Sequence, residues 1–183
     1  VSFWYSQIGV PGLRPALPGP VSVDVCIVGG GFTGLWSAYY LKQADPSLRI
    51  AVVEQRFAGY GASGRNGGWL FGGIAGSRDR YAKTHGRQAV VSLQKAMNDS
   101  VDEVIRVTEA ESIDADIVKG GTLEVAYTPA QLKRLKAFIA GEHAWGETDH
   151  VLLTAAESDA RIKVANTEGG AFNPNGARVQ PAK

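Results

Sequence analysis

The sequence predicts an α/β fold with a parallel βαβ core, and three observations carry that expectation. Residues 23–28 form a short, β-branched run closed by three glycines, as expected of a central parallel strand covered on both faces. Residues 32–44 place Leu35, Ala38, Tyr39 and Leu41 at helical intervals until Asp45 and Pro46 stop them. Residues 49–54 then read as a second buried strand, completing a unit of the usual ~30 residues.

The chain has 183 residues, enough for one well-buried domain or for a domain with a piece of another. Hydrophobic residues at 44% and charged residues at 20% match ordinary globular proteins, which excludes a disordered or fibrous architecture. The 19 basic residues are scattered among 18 acidic ones, so the net charge of +1 offers no basic run for nucleic acid or anionic lipid. Cys26 is the single cysteine, which leaves no disulfide framework or CxxC pair and favours a reducing, cytoplasmic setting. It lies inside the first apolar run, where burial is expected to keep it from covalent chemistry. With no membrane-length apolar stretch and no signal-peptide pattern, the expectation is a soluble protein that is not exported. Val1 in place of Met, and an end at Lys183 just after an apparent strand, read as truncation at both ends.

The remaining elements follow in order. Residues 1–20 hold four prolines and three glycines and are expected to form an extended arm without regular helix. Phe3, Trp4 and Tyr5 would anchor that arm by packing rather than by touching substrate. Residues 57–76 are dense in glycine with almost no periodicity, so a long functional loop is expected. Ala89, Leu93, Met97, Val101, Val104 and Thr108 fall at steps of three and four, an apolar stripe on a helix over residues 78–111 that breaks at Gly86. Met97 is then a core residue, and His85 a surface histidine with no nucleophile or metal partner nearby. Residues 116–127 read as two short strands meeting at Gly120 and Gly121. Thr128 and Gln131 form a capping box around Pro129, opening a helix whose buried face is Leu132, Leu135, Phe138 and Ile139. Thr154 and Glu157 repeat the box before a shorter helix, and residues 169–181 read as a strand or loop.

The chemistry-bearing motif is Gly29-Gly30-Gly31-Phe32-Thr33-Gly34, a GxGxxG between the first strand and the helix. Gly29 permits the tight turn, Gly31 lets a pyrophosphate approach bare backbone, and Gly34 lets the helix pack on the strand. The N–H groups of the helix start, at Phe32 and Thr33, face the phosphate charge. Glu54 ends the second strand twenty residues beyond Gly34, where an acceptor for ribose hydroxyls is required. Together these features make the βαβ unit Rossmann-like and the ligand a dinucleotide. A carboxylate at Glu54 would repel a 2′-phosphate, which leaves FAD or NAD(H). The glycine-rich loop favours FAD, because Ser63, Arg65, Asn66, Gly67 and Gly68 offer a second cradle of donors beside the first.

The segments DVCIVGGGFTGLWSAYYLK, AVVEQ and GASGRNGGW resemble the D-amino-acid-oxidase-like family of FAD-dependent oxidoreductases, most of all its γ-glutamylputrescine oxidase-like branch. The likeness runs on through GGTLEVAYTPAQLKRLK to GARVQPAK, and GASGRNGG is its most specific part. The resemblance implies an α/β, Rossmann-like FAD-binding βαβ domain over residues 1–112, the start of an α+β substrate domain over 113–168, and a return toward the FAD domain over 169–183. It also implies an N-terminal portion of a longer enzyme that oxidises a small-molecule amine or amino acid by hydride transfer to flavin, with imine hydrolysis and reoxidation by oxygen. No residue here reads as a catalytic base or metal ligand. An NAD-dependent dehydrogenase and a non-catalytic nucleotide-binding fragment are the alternatives. The first would not need the GASGRNGG loop.

Overall fold

The computed structural model describes residues 2–183 and divides into two compact units. One holds the residues up to Gly68 with Gln180–Lys183, and the other holds Trp69–Val179. Among the described residues no helix is long and apolar enough to cross a membrane.

The first unit opens with a helix, α1 (Phe3–Ile8), which corrects the expectation of an arm without helix. The six residues before Gly9 contain no proline or glycine, and the Ser2 hydroxyl caps them by accepting from Tyr5 N–H. The prolines act only from Pro11 onward, where the chain is irregular. Strand β1 (Val25–Val28), helix α2 (Phe32–Ala44) and strand β2 (Ile50–Val53) form the expected βαβ unit. The two strands are parallel, with Val25 opposite Ile50 and Val28 opposite Val53. Helix α2 covers the face carrying Ile27, and the opposite face is open, with Cys26 exposed and Val28 86% exposed. The expectation of a strand covered on both faces, with Cys26 buried, is therefore corrected. A crossover helix covers one face of the strands it joins.

The loop over residues 57–76 is not wholly irregular, which corrects a second expectation. It contains a 3₁₀ turn at Ala62–Gly64 and a strand, β3 (Trp69–Phe71). The strand belongs to the second unit, whose further elements are α3 (Arg78–His85), α4 (Arg87–Ala110), β4 (Val118–Lys119), β5 (Thr122–Ala126), α5 (Pro129–Trp145), β6 (Val151–Leu153), α6 (Ala155–Arg161), β7 (Gly169–Asn173) and β8 (Gly176–Arg178). They make two antiparallel sheets, ordered β3-β8-β4 and β5-β7-β6. The strands flanking Gly120 and Gly121 thus form without pairing to each other. Both predicted caps are present, Thr128 accepting from Gln131 N–H and Thr154 with Glu157 closing a full capping box.

Helix α5 lays Leu135 and Ile139 against Ala126 and Ala171 of the sheet to form the core, with Leu132 at its margin. Phe138, expected on that face, is 47% exposed and meets the His150 ring edge-on instead. At the start of α4 the buried face shifts by one position, since Val90 and Gln94 are buried while Ala89 and Leu93 are exposed; further on Val101 is buried as expected, and Met97, Val104 and Thr108 are half-buried. Gln94 is drawn inward by polar partners. Its Nε2 donates to Gly72 O at 2.7 Å, and its Oε1 accepts from the Arg78 guanidinium, which forks onto Glu142 at 2.7 and 3.0 Å.

Candidate cofactor site

All the residues singled out in the sequence lie in the first unit, around the junction of β1 and α2. Gly29 turns the chain out of β1 at φ +108°, a conformation that side chains rarely adopt, while its N–H still donates to Val53 O at 2.8 Å. Gly34 sits where the helix touches the strand. A Cβ there would lie 2.1 Å from Gly29 O and 3.1 Å from Ile27 Cγ2, so any larger residue would push α2 off the sheet.

Glu54 turns back onto the motif. Its Oε2 accepts from Gly30 N–H at 2.8 Å and its Oε1 from Arg56 N–H at 3.0 Å. Those bonds, Gly30 first, hold its carboxyl below the usual carboxylate range and keep it ionised at neutral pH. A carboxylate has about four lone-pair sites, so acceptor capacity remains for a ribose hydroxyl.

Ser63 occupies the start of α2. Its Oγ accepts from Phe32 N–H at 2.9 Å and would lie 3.0 Å from a Cβ on Gly31. The bare backbone at Gly31 is thus what lets the loop come down onto the helix terminus. With its lone pair engaged, the Ser63 hydroxyl still has a proton to donate to an anion. The N–H of Thr33 belongs to the same helix start. A further bond, Gly59 N–H to Gly30 O at 2.8 Å, ties the two glycine-rich segments together.

Arg65 and Asn66 do not project freely. Arg65 donates through Nε to Tyr60 O at 2.8 Å and lies over the Tyr60 ring at 4.5 Å. Asn66 donates through Nδ2 to Ser63 O at 2.7 Å and accepts at Oδ1 from Gly68 N–H at 2.8 Å. Both shape the loop around Gly67, whose Cβ position is open, and Gly68, which takes φ +71°. Tyr5, expected to anchor the N-terminal segment by packing, is buried and also donates through Oη to Ala58 O at 3.1 Å, whereas nothing in the sequence pointed to Ala58 or Tyr60 as parts of this arrangement. Among the described residues no group of His, Cys, Asp and Glu could hold a metal ion.

These residues fit a flavin dinucleotide: a turn that only glycine makes, a helix start, an ionised carboxylate with acceptor sites left and a hydroxyl with a donor left. A family model described as FAD dependent oxidoreductase matches residues 24–183. Gamma-glutamylputrescine oxidoreductase of Escherichia coli (strain K12) is 30% identical over 161 residues, covering 88% of this chain and 37% of that protein. Among solved structures, L-amino acid deaminase from Proteus vulgaris superposes with a TM-score of 0.64 at 18% identity, over 94% of this chain and 37% of that one. Glycine oxidase from Bacillus cereus ATCC 14579 gives 0.62 at 21% identity, over 87% and 40%. The chain therefore spans about two fifths of the length of these relatives, and the structural likenesses show a shared fold.

Proposed function

The chain belongs to the DAO family of FAD-dependent oxidoreductases, and from that premise we propose that it supplies the dinucleotide grip of an enzyme oxidising a primary or secondary amine or an amino acid. The observation that carries the reading is the pair of bonds, Gly30 N–H to Glu54 and Phe32 N–H to Ser63, that draws an ionised carboxylate and a hydroxyl to the end of β1, which supports a site for a ribose and a pyrophosphate there. When bound, FAD supplies the two-electron acceptor that turns the substrate's C–N bond into an imine for water to hydrolyse, with dioxygen as terminal oxidant.

The chain's own part is binding and orientation. Gly29 makes the turn, Gly34 seats α2 on β1 and Gly31 leaves bare backbone at the helix start, where the Thr33 amide faces the ligand and the Phe32 amide, held by Ser63, positions that hydroxyl. Glu54 accepts from the ribose, and Ser63 donates to phosphate while Arg65, Asn66, Gly67 and Gly68 shape the cradle. The likeness to a gamma-glutamylputrescine oxidoreductase supports an acylated polyamine among the substrates. For the full-length protein we read residues 1–112 as mainly flavin-domain sequence, 113–168 as the start of the substrate domain and 169–183 as the return. The rejoining of Gln180–Lys183 to the first unit supports that return. The lone cysteine supports a reducing, cytoplasmic setting.

The test is the absorbance spectrum of the purified protein after incubation with FAD and removal of the excess. Retained bands near ~450 nm, a property of the flavin, are expected. A folded but colourless protein that instead retains NAD(H) would overturn the reading.

A further inference from the structure

We propose that helix α1 is a clamp that holds the glycine-rich loop, residues 57–68, in its ligand-binding shape, with Trp4 and Tyr5 as positioning residues. The proposal rests on the reading of that loop as part of the flavin cradle. Tyr5 is 3% exposed, and its Oη donates to Ala58 O at 3.1 Å while its ring meets Phe57 edge-on at 5.1 Å. Trp4 holds the other end of the loop, donating through Nε1 to Asn66 O at 2.8 Å. These bonds reach across 53 and 62 residues of sequence, so local chain geometry does not produce them.

The loop is shaped to receive the helix. A Cβ at Gly59 or at Gly64 would lie 2.6 Å from Tyr5 Oη, so both glycines make room for the phenol. Gly64 N–H donates to Gly59 O at 2.9 Å, which folds the loop around the contact. The helix is itself tethered. Gln180, 3% exposed, donates through Nε2 to Trp4 O at 3.3 Å.

A segment this rich in glycine has many conformations to lose when a ligand orders it. Fixing both ends beforehand removes that loss from the binding step, which raises affinity without any contact to the ligand. The match to the family begins at residue 24, so α1 lies outside the part this chain shares with the family model.

The test compares Trp4→Phe, Tyr5→Phe and the double variant with wild type in the full-length protein, each keeping an aromatic ring while removing one donor. Amide hydrogen exchange without FAD should run several-fold faster over residues 57–68 in each single variant, with β1, α2 and β2 unchanged. The FAD Kd should rise about fivefold per lost bond, the usual net worth of one hydrogen bond. A uniform loss of protection across the unit would mark a merely structural role and overturn the clamp. So would unchanged loop exchange, or faster exchange with unaltered FAD affinity. A wild type that takes up no FAD would instead overturn the flavin reading and the clamp's purpose together.

Discussion

In the second unit Val90, Val101 and Ile139 are 1–2% exposed and Ala171 is fully buried, whereas in the first unit the buried apolar side chains are Tyr5 and Pro181, and Val28 is 86% exposed. At the candidate site the first unit is tied by hydrogen bonds to backbone amides, Glu54 with Gly30, Ser63 with Phe32 and Gly59 with Gly30. Apolar packing stabilises a unit whether or not a ligand is present. A hydrogen-bonded cradle gains little net stability from each bond, and its order is linked to whatever binds it. The contrast teaches that one unit is a scaffold and the other a grip.

Ile139→Ala should have the largest effect. It empties a site 2% exposed in the core of the second unit and should cost about 2–5 kcal/mol, read as an earlier denaturation midpoint for that unit. Amide exchange over residues 25–68 should not follow it. If both units lose protection together, their independence is broken. FAD should act in the converse sense, adding about 2.7 kcal/mol of protection at a hundred times its Kd. That protection is expected over residues 25–68, and equal protection of the α5 core would refute the contrast.

A smaller effect concerns His150, which is 5% exposed and whose Nδ1 is buried without a hydrogen-bond partner. Its backbone oxygen accepts from His143 Nε2 at 2.6 Å, and Glu124, Glu142 and Glu147 are the carboxylates that act on its ring. Burial outweighs them and lowers the ring's pKa, so the folded state holds the neutral form. Because the folded value lies below the unfolded one, stability is complete above about pH 6.5 and falls as the pH drops through it. The slope cannot exceed about 1.4 kcal/mol per pH unit for one proton. Urea midpoints for the second unit between about pH 7.5 and about pH 5 should show it, and His150→Gln should flatten it. An unchanged slope in the variant would assign the dependence elsewhere.

What could be read in the sequence was whatever neighbours determine. The GxGxxG, Glu54 and the two capping boxes depend on residues a few positions or one short unit apart, and each lies where the pattern put it. Apart from α1, whose local Ser2 cap was outweighed by the prolines that follow it, the misplaced elements are those settled at long range. Trp69–Phe71 becomes a strand because residues 176–178 pair with it, and no signal in its own neighbourhood says so. At the start of α4 the buried face moves from Leu93 to Gln94 because Arg78 and Gly72 draw in Gln94, while Val101 stays buried where the spacing put it. Ser63, Arg65 and Asn66 were legible as loop residues, but that they bond to Phe32, Tyr60 and Gly68 depends on how the loop folds back.

The smallest effect should come where the first unit's strands begin. Asp24 N–H donates to Arg49 O at 2.9 Å, and Arg49 returns three bonds to the carboxylate, from its N–H at 2.8 Å, Nε at 3.1 Å and Nη2 at 2.9 Å. Those bonds from Arg49 bring the Asp24 carboxyl down to about 2. Because the folded value lies below the unfolded ~3.9, the contribution is complete above about pH 4 and is lost as the pH falls toward about 2. The pair is exposed, so its contribution is small and screened by salt. Protection of the β1 amides, taken relative to their intrinsic exchange at each pH, should therefore fall over that interval at low ionic strength, and in Asp24→Asn it should be lower already at neutral pH and flat below it. Protonation of Glu54 in acid weakens the bond it accepts from Gly30, so the cradle too loosens at low pH. A wild-type β1 whose exchange shows no such acid step would mean that the strand pairing, and not the ion pair, holds this end of the grip.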